Sequence, residues 1–145
     1  MPGLRLGYCL TADTDLLLRL HECGQDWNVS VPAQEAGCAA LDETAYVEKA
    51  KKLIAKERRY LTSALNRLGA KTYGSEANYI FFKLEQPQDL KEQLLKKGFL
   101  IRSCANYHNL NGNYYRIAVK RRAVNIRFIK ALKEVQNNAL INGDH

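Results

Sequence analysis

The sequence predicts an α+β fold in which helices pack on one face of a small mixed β-sheet. Three observations lead to this fold class. Apolar residues recur at helical spacing in several stretches, short alternating runs lie between them, and glycines follow most of the helical stretches. At 145 residues and 46% hydrophobic content, the chain can bury one core.

The amino-terminal residues predict a buried strand followed by helices. Leu4–Leu10 is apolar on both faces, as a strand inside a larger sheet would be. Thr11 or Asp13 can cap a short helix after it. A loop at 25–32 then leads to a helical run of small residues that starts at Ala33.

The rest of the chain predicts a compact α+β unit. A long helix can be capped by Asp42 and ended by Gly69, and its apolar stripe is interrupted only near Glu57. The elements expected after it are a strand at 78–84, a helix at 88–97, a strand at 99–104, a strand at 114–120, a helix along the apolar positions 124–135, and a frayed end at 137–145.

Composition narrows the classes of partner. The formal charge of +7 suits a partner that carries phosphates, whether nucleic acid, an acidic surface or a small phosphorylated ligand. The four cysteines and three histidines show no spacing typical of a metal site or a redox dithiol, so no metal is predicted. Apolar runs fall far short of the ~20 residues of a membrane helix. We expect a soluble, cytoplasmic protein with no membrane partner.

Arg102 and Arg116 are predicted to face each other across neighbouring strands. Alternation places Ile117 on the core side and leaves Arg116 on the other, and the same reasoning applies to Arg102. Asn109 is equidistant from the two, so a symmetric hairpin would bring the guanidinium groups together. An anion between them would convert their repulsion into recognition. The alternative is two arginines on a solvent-exposed sheet face.

Arg5 is a charged residue in the strand predicted to be buried, and a buried charge needs a partner. Either an acidic side chain or the phosphate of a cofactor could serve.

Two groups of residues resemble a known family. Residues 2–8, PGLRLGY, are similar to the segment that follows the Schiff-base lysine in histidinol-phosphate aminotransferases and threonine-phosphate decarboxylases. Residues 100–107, LIRSCANY, and 114–119, YYRIAV, resemble the decarboxylase patterns LIRDCSNF and YFRIAVR. The resemblance covers residues 2–136, so the chain is identified as the carboxy-terminal part of a fold-type I enzyme dependent on pyridoxal 5'-phosphate (PLP).

The sequence departs from the decarboxylase pattern at a few positions. Ser103 stands where the pattern has Asp, Ala105 where it has Ser, and Tyr107 where it has Phe. Residues 122–125, RAVN, replace an acidic pair before Asn. These departures concern the substrate rather than the fold.

The resemblance implies a division of the chain and roles for the three arginines. Residues 1–40 would be a remnant of the large PLP-binding domain, 41–136 the carboxy-terminal small domain, and 137–145 a tail. Arg5 would contact the PLP phosphate, and Arg102 and Arg116 would hold the carboxylate and phosphate of the substrate. The Schiff-base lysine would fall before Met1, so the chain contains no catalytic residue and is expected to be inactive alone.

The implied function is that of an L-threonine-O-3-phosphate decarboxylase, which serves cobalamin biosynthesis, acting as a homodimer on a phosphorylated amino acid. An aminotransferase of the histidinol-phosphate type is the alternative enzyme. A basic α+β module that binds nucleic acid is the alternative from another class and rests on charge only, whereas the resemblance implies no nucleic-acid partner.

Overall fold

A computed structural model describes residues 2–85 and 89–142. Two compact units are present, one up to Glu48 and one from Lys49 onward. After a 3₁₀ turn at Pro2–Leu4, the elements are α1 (Thr14–Glu22), α2 (Val31–Leu41), α3 (Thr44–Arg67), β1 (Lys71–Thr72), β2 (Tyr79–Lys83), α4 (Leu90–Lys96), β3 (Arg102–Ser103), β4 (Tyr114–Ala118) and α5 (Arg122–Asn142). The α+β class is confirmed, whereas the domain boundary between residues 40 and 41 stays a prediction.

The prediction of a strand at 4–10 is wrong for this chain. Leu4 ends the 3₁₀ turn and Arg5 has a φ of 54°, in the left-handed region. Strands are held by hydrogen bonds to a neighbouring strand, and none of the described strands pairs with this segment. The apolar side chains therefore stay in contact with solvent, with Tyr8 82% and Leu10 89% exposed.

The first two helices begin with residues that suit their positions. Of the two expected caps for α1, Asp13 is the one used, since its carboxylate accepts a hydrogen bond of 2.9 Å from the backbone N–H of Leu16. Helix α2 begins at Val31, two residues earlier than predicted, with Pro32 in its first turn. Proline suits that turn because its missing N–H would have had no partner there.

The sheet is antiparallel, which corrects the mixed sheet predicted from the sequence. Its strand order is β1-β2-β4-β3, and every pair among these strands is antiparallel. Strands β2 and β3 run in the same direction, as the crossover through α4 allows. Because β4 lies between them, they do not become neighbours, and no parallel pair forms in this part of the chain.

One face of the sheet packs against helices of the second unit, as predicted. Alternation along β2 and β4 turns Ile80, Phe82, Tyr115 and Ile117 toward the core. The helical residues of this core are Leu61 and Leu65 from α3, Leu90 and Leu94 from α4, and Phe128, Ala131, Leu132 and Val135 from α5. The opposite face of the sheet is called the open face below, and it carries Tyr79, Phe81, Lys83, Tyr114 and Arg116.

Glycines end two helices, as the sequence indicates. Gly69 and Gly98 have φ values of 79° and 81°, which favour glycine. After each glycine the backbone N–H reaches back to the last turn, Ala70 to the carbonyl of Leu65 at 3.1 Å and Phe99 to that of Leu94 at 2.9 Å.

The predicted fraying from residue 137 is wrong for 137–142, since α5 continues to Asn142. No glycine or proline interrupts the sequence from Arg122 until Gly143. Residues 143–145 lie outside the described part of the chain.

Candidate anion-binding site

Arg102 and Arg116 are direct partners in the sheet. They are opposite each other in the β3–β4 register, as the sequence predicted. The N–H of Cys104 donates to the carbonyl of Tyr114 at 2.9 Å, two residues further along the same ladder. The arginine pair is therefore of the hydrogen-bonded type, for which the Cα atoms are typically ~5.5 Å apart. Two cationic side chains rise side by side from this position.

The turn between the two strands also agrees with the sequence. Asn109, the midpoint of the connection, has a φ of 63°. Asparagine tolerates this left-handed backbone better than most residues.

No carboxylate among residues 2–85 and 89–142 lies within ion-pair distance of either arginine. Arg102 is exposed and Arg116 is half-buried on the open face. Like charges that face each other across strands destabilise a sheet. An anion bound between the two guanidinium groups would remove that repulsion, so the geometry suits recognition of carboxylate or phosphate oxygens.

Each arginine of the pair contacts an aromatic ring. The guanidinium carbon of Arg116 lies 4.6 Å from the ring centroid of Tyr79, and that of Arg102 lies 5.8 Å from the ring centroid of Tyr107. Both distances are within the range of cation–π attraction.

A shallow cavity of about 560 Å³ adjoins the arginine pair. Its polar lining includes Asn78, Tyr79, Lys91, Arg102, Ser103 and Arg116. The volume falls within the usual range for small-molecule sites. Because Lys91 adds a third cation, the cavity suits a small ligand with more than one negative charge.

Arg5 belongs to the first compact unit, where it is exposed rather than buried. The prediction that Arg5 occupies a buried strand is therefore wrong, because none of the described strands pairs with residues 4–10. Within the described residues no carboxylate forms an ion pair with it. The contact of Arg5 with a cofactor phosphate stays a prediction.

The sequence reasoning missed a buried polar network beside the sheet. Glu57 is 2% exposed, and both of its carboxylate oxygens accept hydrogen bonds of 3.0 Å from Arg122 Nε. Asn125 Nδ2 donates to the same carboxylate at 3.0 Å. The only signal in the sequence is that Glu57 interrupts the apolar stripe of α3.

Asn125 connects this network to the chain just beyond β4. Its side-chain oxygen accepts from the N–H of Lys120 at 3.1 Å, and its Nδ2 donates to the carbonyl of the same residue at 2.7 Å. The end of the strand that carries Arg116 is thereby fixed to helices α3 and α5.

A second feature missed by the sequence reasoning is an aromatic cluster on the open face. The rings of Tyr73, Phe81 and Tyr114 all contact one another, with centroid separations of 5.1 to 6.2 Å. Lys71 Nζ lies 5.6 Å from the ring centroid of Tyr73, and Lys83 Nζ lies 5.7 Å from that of Tyr114. A hydrogen bond from Lys83 to Glu85 raises the pKa of the lysine.

The described residues contain no metal-ligand cluster, no disulfide and no membrane-spanning helix. No group of three or more His, Cys, Asp or Glu side chains there could hold a metal ion. The four cysteines are free thiols, of which only Cys104 is buried. No helix in these ranges has the length and apolar character to cross a membrane.

The chain belongs to the aminotransferase class I and II family, whose family model matches residues 1–132. It is 36% identical over 137 residues to the threonine-phosphate decarboxylase of Salmonella typhimurium, covering 93% of this chain and 38% of that protein. The chain thus spans well under half of the length of this relative.

Solved structures agree with the assignment. The histidinol-phosphate aminotransferase of Clostridium acetobutylicum matches with a TM-score of 0.87 and 32% identity, over 95% of this chain and 42% of that one. The L-threonine-O-3-phosphate decarboxylase of Porphyromonas gingivalis matches with a TM-score of 0.77 and 30% identity, over 94% of this chain and 43% of that one.

Proposed function

We propose that this chain is the carboxy-terminal part of a cytoplasmic, PLP-dependent L-threonine-O-3-phosphate decarboxylase. The observation that carries the proposal is the direct pairing of Arg102 with Arg116, two cations that have no carboxylate partner among the described residues. A substrate with a carboxylate and a phosphate supplies one anion for each guanidinium group. The 36% identity to a threonine-phosphate decarboxylase supports the same assignment.

In this proposal the arginine pair binds and orients the substrate. Each guanidinium group presents a planar fork of donors that matches carboxylate or phosphate oxygens. Gripping both ends of a small molecule fixes the direction of the bond to its carboxylate carbon, which is a positioning effect rather than acid–base catalysis. PLP, when bound, supplies the electron sink for breaking that bond. Arg5, exposed and unpaired within the described residues, would hold the PLP phosphate.

The chain alone is proposed to be inactive, because no lysine in it suits attachment of the cofactor. Such a lysine must react as an uncharged amine, which burial or a nearby cation favours. All lysines except Lys83 are exposed, and Glu85 raises the pKa of Lys83. Lys97 forms an ion pair of 2.6 Å with Glu134. Another part of the parent protein must therefore supply this group.

Residues 1–40 are proposed to belong to the large domain of the parent enzyme, which we expect to be a homodimer. Many large apolar side chains of this segment are exposed, from 38% for Val29 to 94% for Trp27. Exposed apolar side chains of this number mark surfaces that are covered in a larger assembly. The exposure supports a segment that packs against further protein.

The decisive experiment is an assay of the full-length parent protein with O-phospho-L-threonine. We expect carbon dioxide to be released without a keto-acid acceptor. Arg102→Ala and Arg116→Ala should each lower kcat/KM by about 100-fold, since a lost charged contact costs ~3 kcal/mol. Arg127→Ala, which removes an exposed arginine of α5, is the matched control and should leave the rate unchanged. Strict dependence on 2-oxoglutarate would refute the decarboxylase.

An aminotransferase acting on a phosphorylated amino acid is the second candidate. The TM-score of 0.87 to a histidinol-phosphate aminotransferase favours it. The same arginine pair would serve, but the bond broken would be that to hydrogen instead of that to the carboxylate. The assay above separates the two, because only the aminotransferase needs an amino-group acceptor.

Nucleic-acid binding is the candidate from another class. Two features favour it, the net charge of +7 and the aromatic cluster beside Lys71 and Lys83, since single strands bind by stacking on aromatic rings beside cations. Titration with an oligonucleotide at several salt concentrations tests it. Absence of binding, or binding independent of salt, would eliminate this candidate.

A further inference from the structure

We infer that Tyr79 is a positioning residue for Arg116: its ring holds the guanidinium group over the open face in the orientation that receives the ligand anion. The inference rests on the proposed function of the arginine pair and adds a residue to it. The contact that carries it is the 4.6 Å separation between the guanidinium carbon of Arg116 and the Tyr79 ring centroid.

The register of the sheet explains this contact. Tyr79 is opposite Ala118 in the β2–β4 ladder, and Arg116 precedes Ala118 by two residues on the same face. The N–H of Val119 donates to the carbonyl of Asn78, so the Tyr79–Ala118 pair is of the non-hydrogen-bonded type, in which side chains lie closest. The small side chain of Ala118 leaves the ring face uncovered, and Arg116 fills that space along the diagonal.

Repulsion between the arginines explains why an attractive contact for Arg116 matters. Arg102 is directly opposite Arg116 on one side, whereas Phe81 is opposite it on the other. Without an attractive contact, the half-buried Arg116 side chain would turn away from Arg102 and sample several rotamers. The ring of Tyr79 offers its negative face to the cation and restricts those rotamers, which lowers the ordering cost of ligand binding.

The corresponding contact of Arg102 is weaker. Its guanidinium carbon is 5.8 Å from the Tyr107 ring, and Arg102 is more exposed than Arg116. We therefore assign the larger positioning effect to Tyr79.

The first measurement needs no ligand. In the ¹⁵N-labelled 145-residue chain, the side-chain Hε resonance of Arg116 is compared among the wild type, Tyr79→Leu, Tyr79→Phe and Tyr46→Leu. A ring face close to the guanidinium group shields its protons, so the resonance should lie upfield in the wild type and move downfield in Tyr79→Leu only. Tyr79→Phe retains the ring, and Tyr46 is an exposed tyrosine at the start of α3.

The second measurement is the affinity of the same four proteins for O-phospho-L-threonine, from resonance shifts during titration. Tyr79→Leu should bind about two- to fivefold more weakly than the wild type, and Tyr79→Phe should recover most of the loss. Circular dichroism spectra matching that of the wild type establish that the variants are folded.

The outcomes separate this inference from the proposed function. An Arg116 resonance that does not move in Tyr79→Leu overturns the inference, whatever the ligand does. Equal affinity of wild type and Tyr79→Leu overturns it as well, while leaving the arginine pair intact as a binding site. No binding by the wild type, with the shielding present, counts against the proposed function and removes the role of Tyr79 together with it.

Discussion

Arg122 Nε donates to both carboxylate oxygens of Glu57, at 3.0 Å each, across 65 positions of sequence. The guanidinium carbon of the same arginine lies 4.0 Å from the ring centroid of Tyr60. The side chain of Arg122, at the start of α5, is thus held to α3 by both an ion pair and a cation–π contact. This contact joins the two long helices beside the strand that carries Arg116.

Replacing Glu57 with Gln should lower the free energy of unfolding by about 1–3 kcal/mol. The charged acceptor of Arg122 and Asn125 is lost, and the amide donor of Gln would face donors in a buried position. Urea unfolding followed by far-UV circular dichroism measures the change. Glu134→Gln, at a more exposed ion pair, should cost less. A larger loss for Glu134→Gln would contradict the stabilising role of the buried network.

Replacing Arg102 with Gln should stabilise the chain relative to Arg127→Gln. Both variants remove one positive charge from an exposed position, but only Arg102 faces another arginine across a strand pair. The expected difference is about 0.2–0.5 kcal/mol at low ionic strength, and it should shrink as salt screens the charges. Thermal unfolding at several salt concentrations measures it. If Arg102→Gln were the less stable variant at every salt concentration, repulsion between the arginines would be ruled out as an energetic cost.

Replacing Leu65 with Ala should lower the free energy of unfolding by about 2–5 kcal/mol, because its side chain is fully buried in the core of the second unit. Leu53→Ala is a matched control on the same helix, where the leucine is exposed and the change in helix propensity is equal. The control should cost less than about 1 kcal/mol. Equal costs for the two variants would mean that α3 does not pack as described.

The ion pair between Lys97 and Glu134 should make part of the stability depend on pH. The hydrogen bond from Lys97 lowers the pKa of Glu134 below its ordinary value of 4.5. A lowered carboxylate pKa contributes stability that is fully present above the unfolded-state pKa and disappears as the pH falls through the folded-state pKa.

The difference in Tm between the wild type and Glu134→Gln should therefore be constant near neutral pH and shrink as the pH falls below 4.5. Glu35→Gln, which removes an exposed carboxylate of α2, controls for the general change in charge. A difference that persists unchanged at acidic pH would exclude this ion pair as its source.

The arginine pair could be predicted from the sequence because its geometry depends on local rules. The period of two in a strand sets the face of each arginine, and equal distances from Asn109 set the register. No partner outside the residues between 102 and 116 is needed to bring these side chains together. The contact of Arg116 with Tyr79 requires β2, and for that reason it could not be read from the same pattern.

The features that the sequence did not predict depend on partners that are distant in sequence. The apolar character of Leu4–Leu10 indicates burial but does not identify the neighbouring strand, and none of the described strands takes that place. Alternation sets which face of each strand is buried, yet the order of the strands depends on where α4 returns the chain. Glu57 stands out as a charge within an apolar stripe, but nothing local identifies Arg122 as its partner.

Trp27 is the only tryptophan in the sequence, and it is 94% exposed within the unit that ends at Glu48. Its indole is already surrounded by water in the folded chain, so its emission should change little on denaturation. Intrinsic tryptophan fluorescence would consequently report almost nothing of the cooperative unfolding of the sheet and its helices. Burial of that indole by an added protein segment would instead give a blue shift, which makes the residue a built-in optical reporter of assembly.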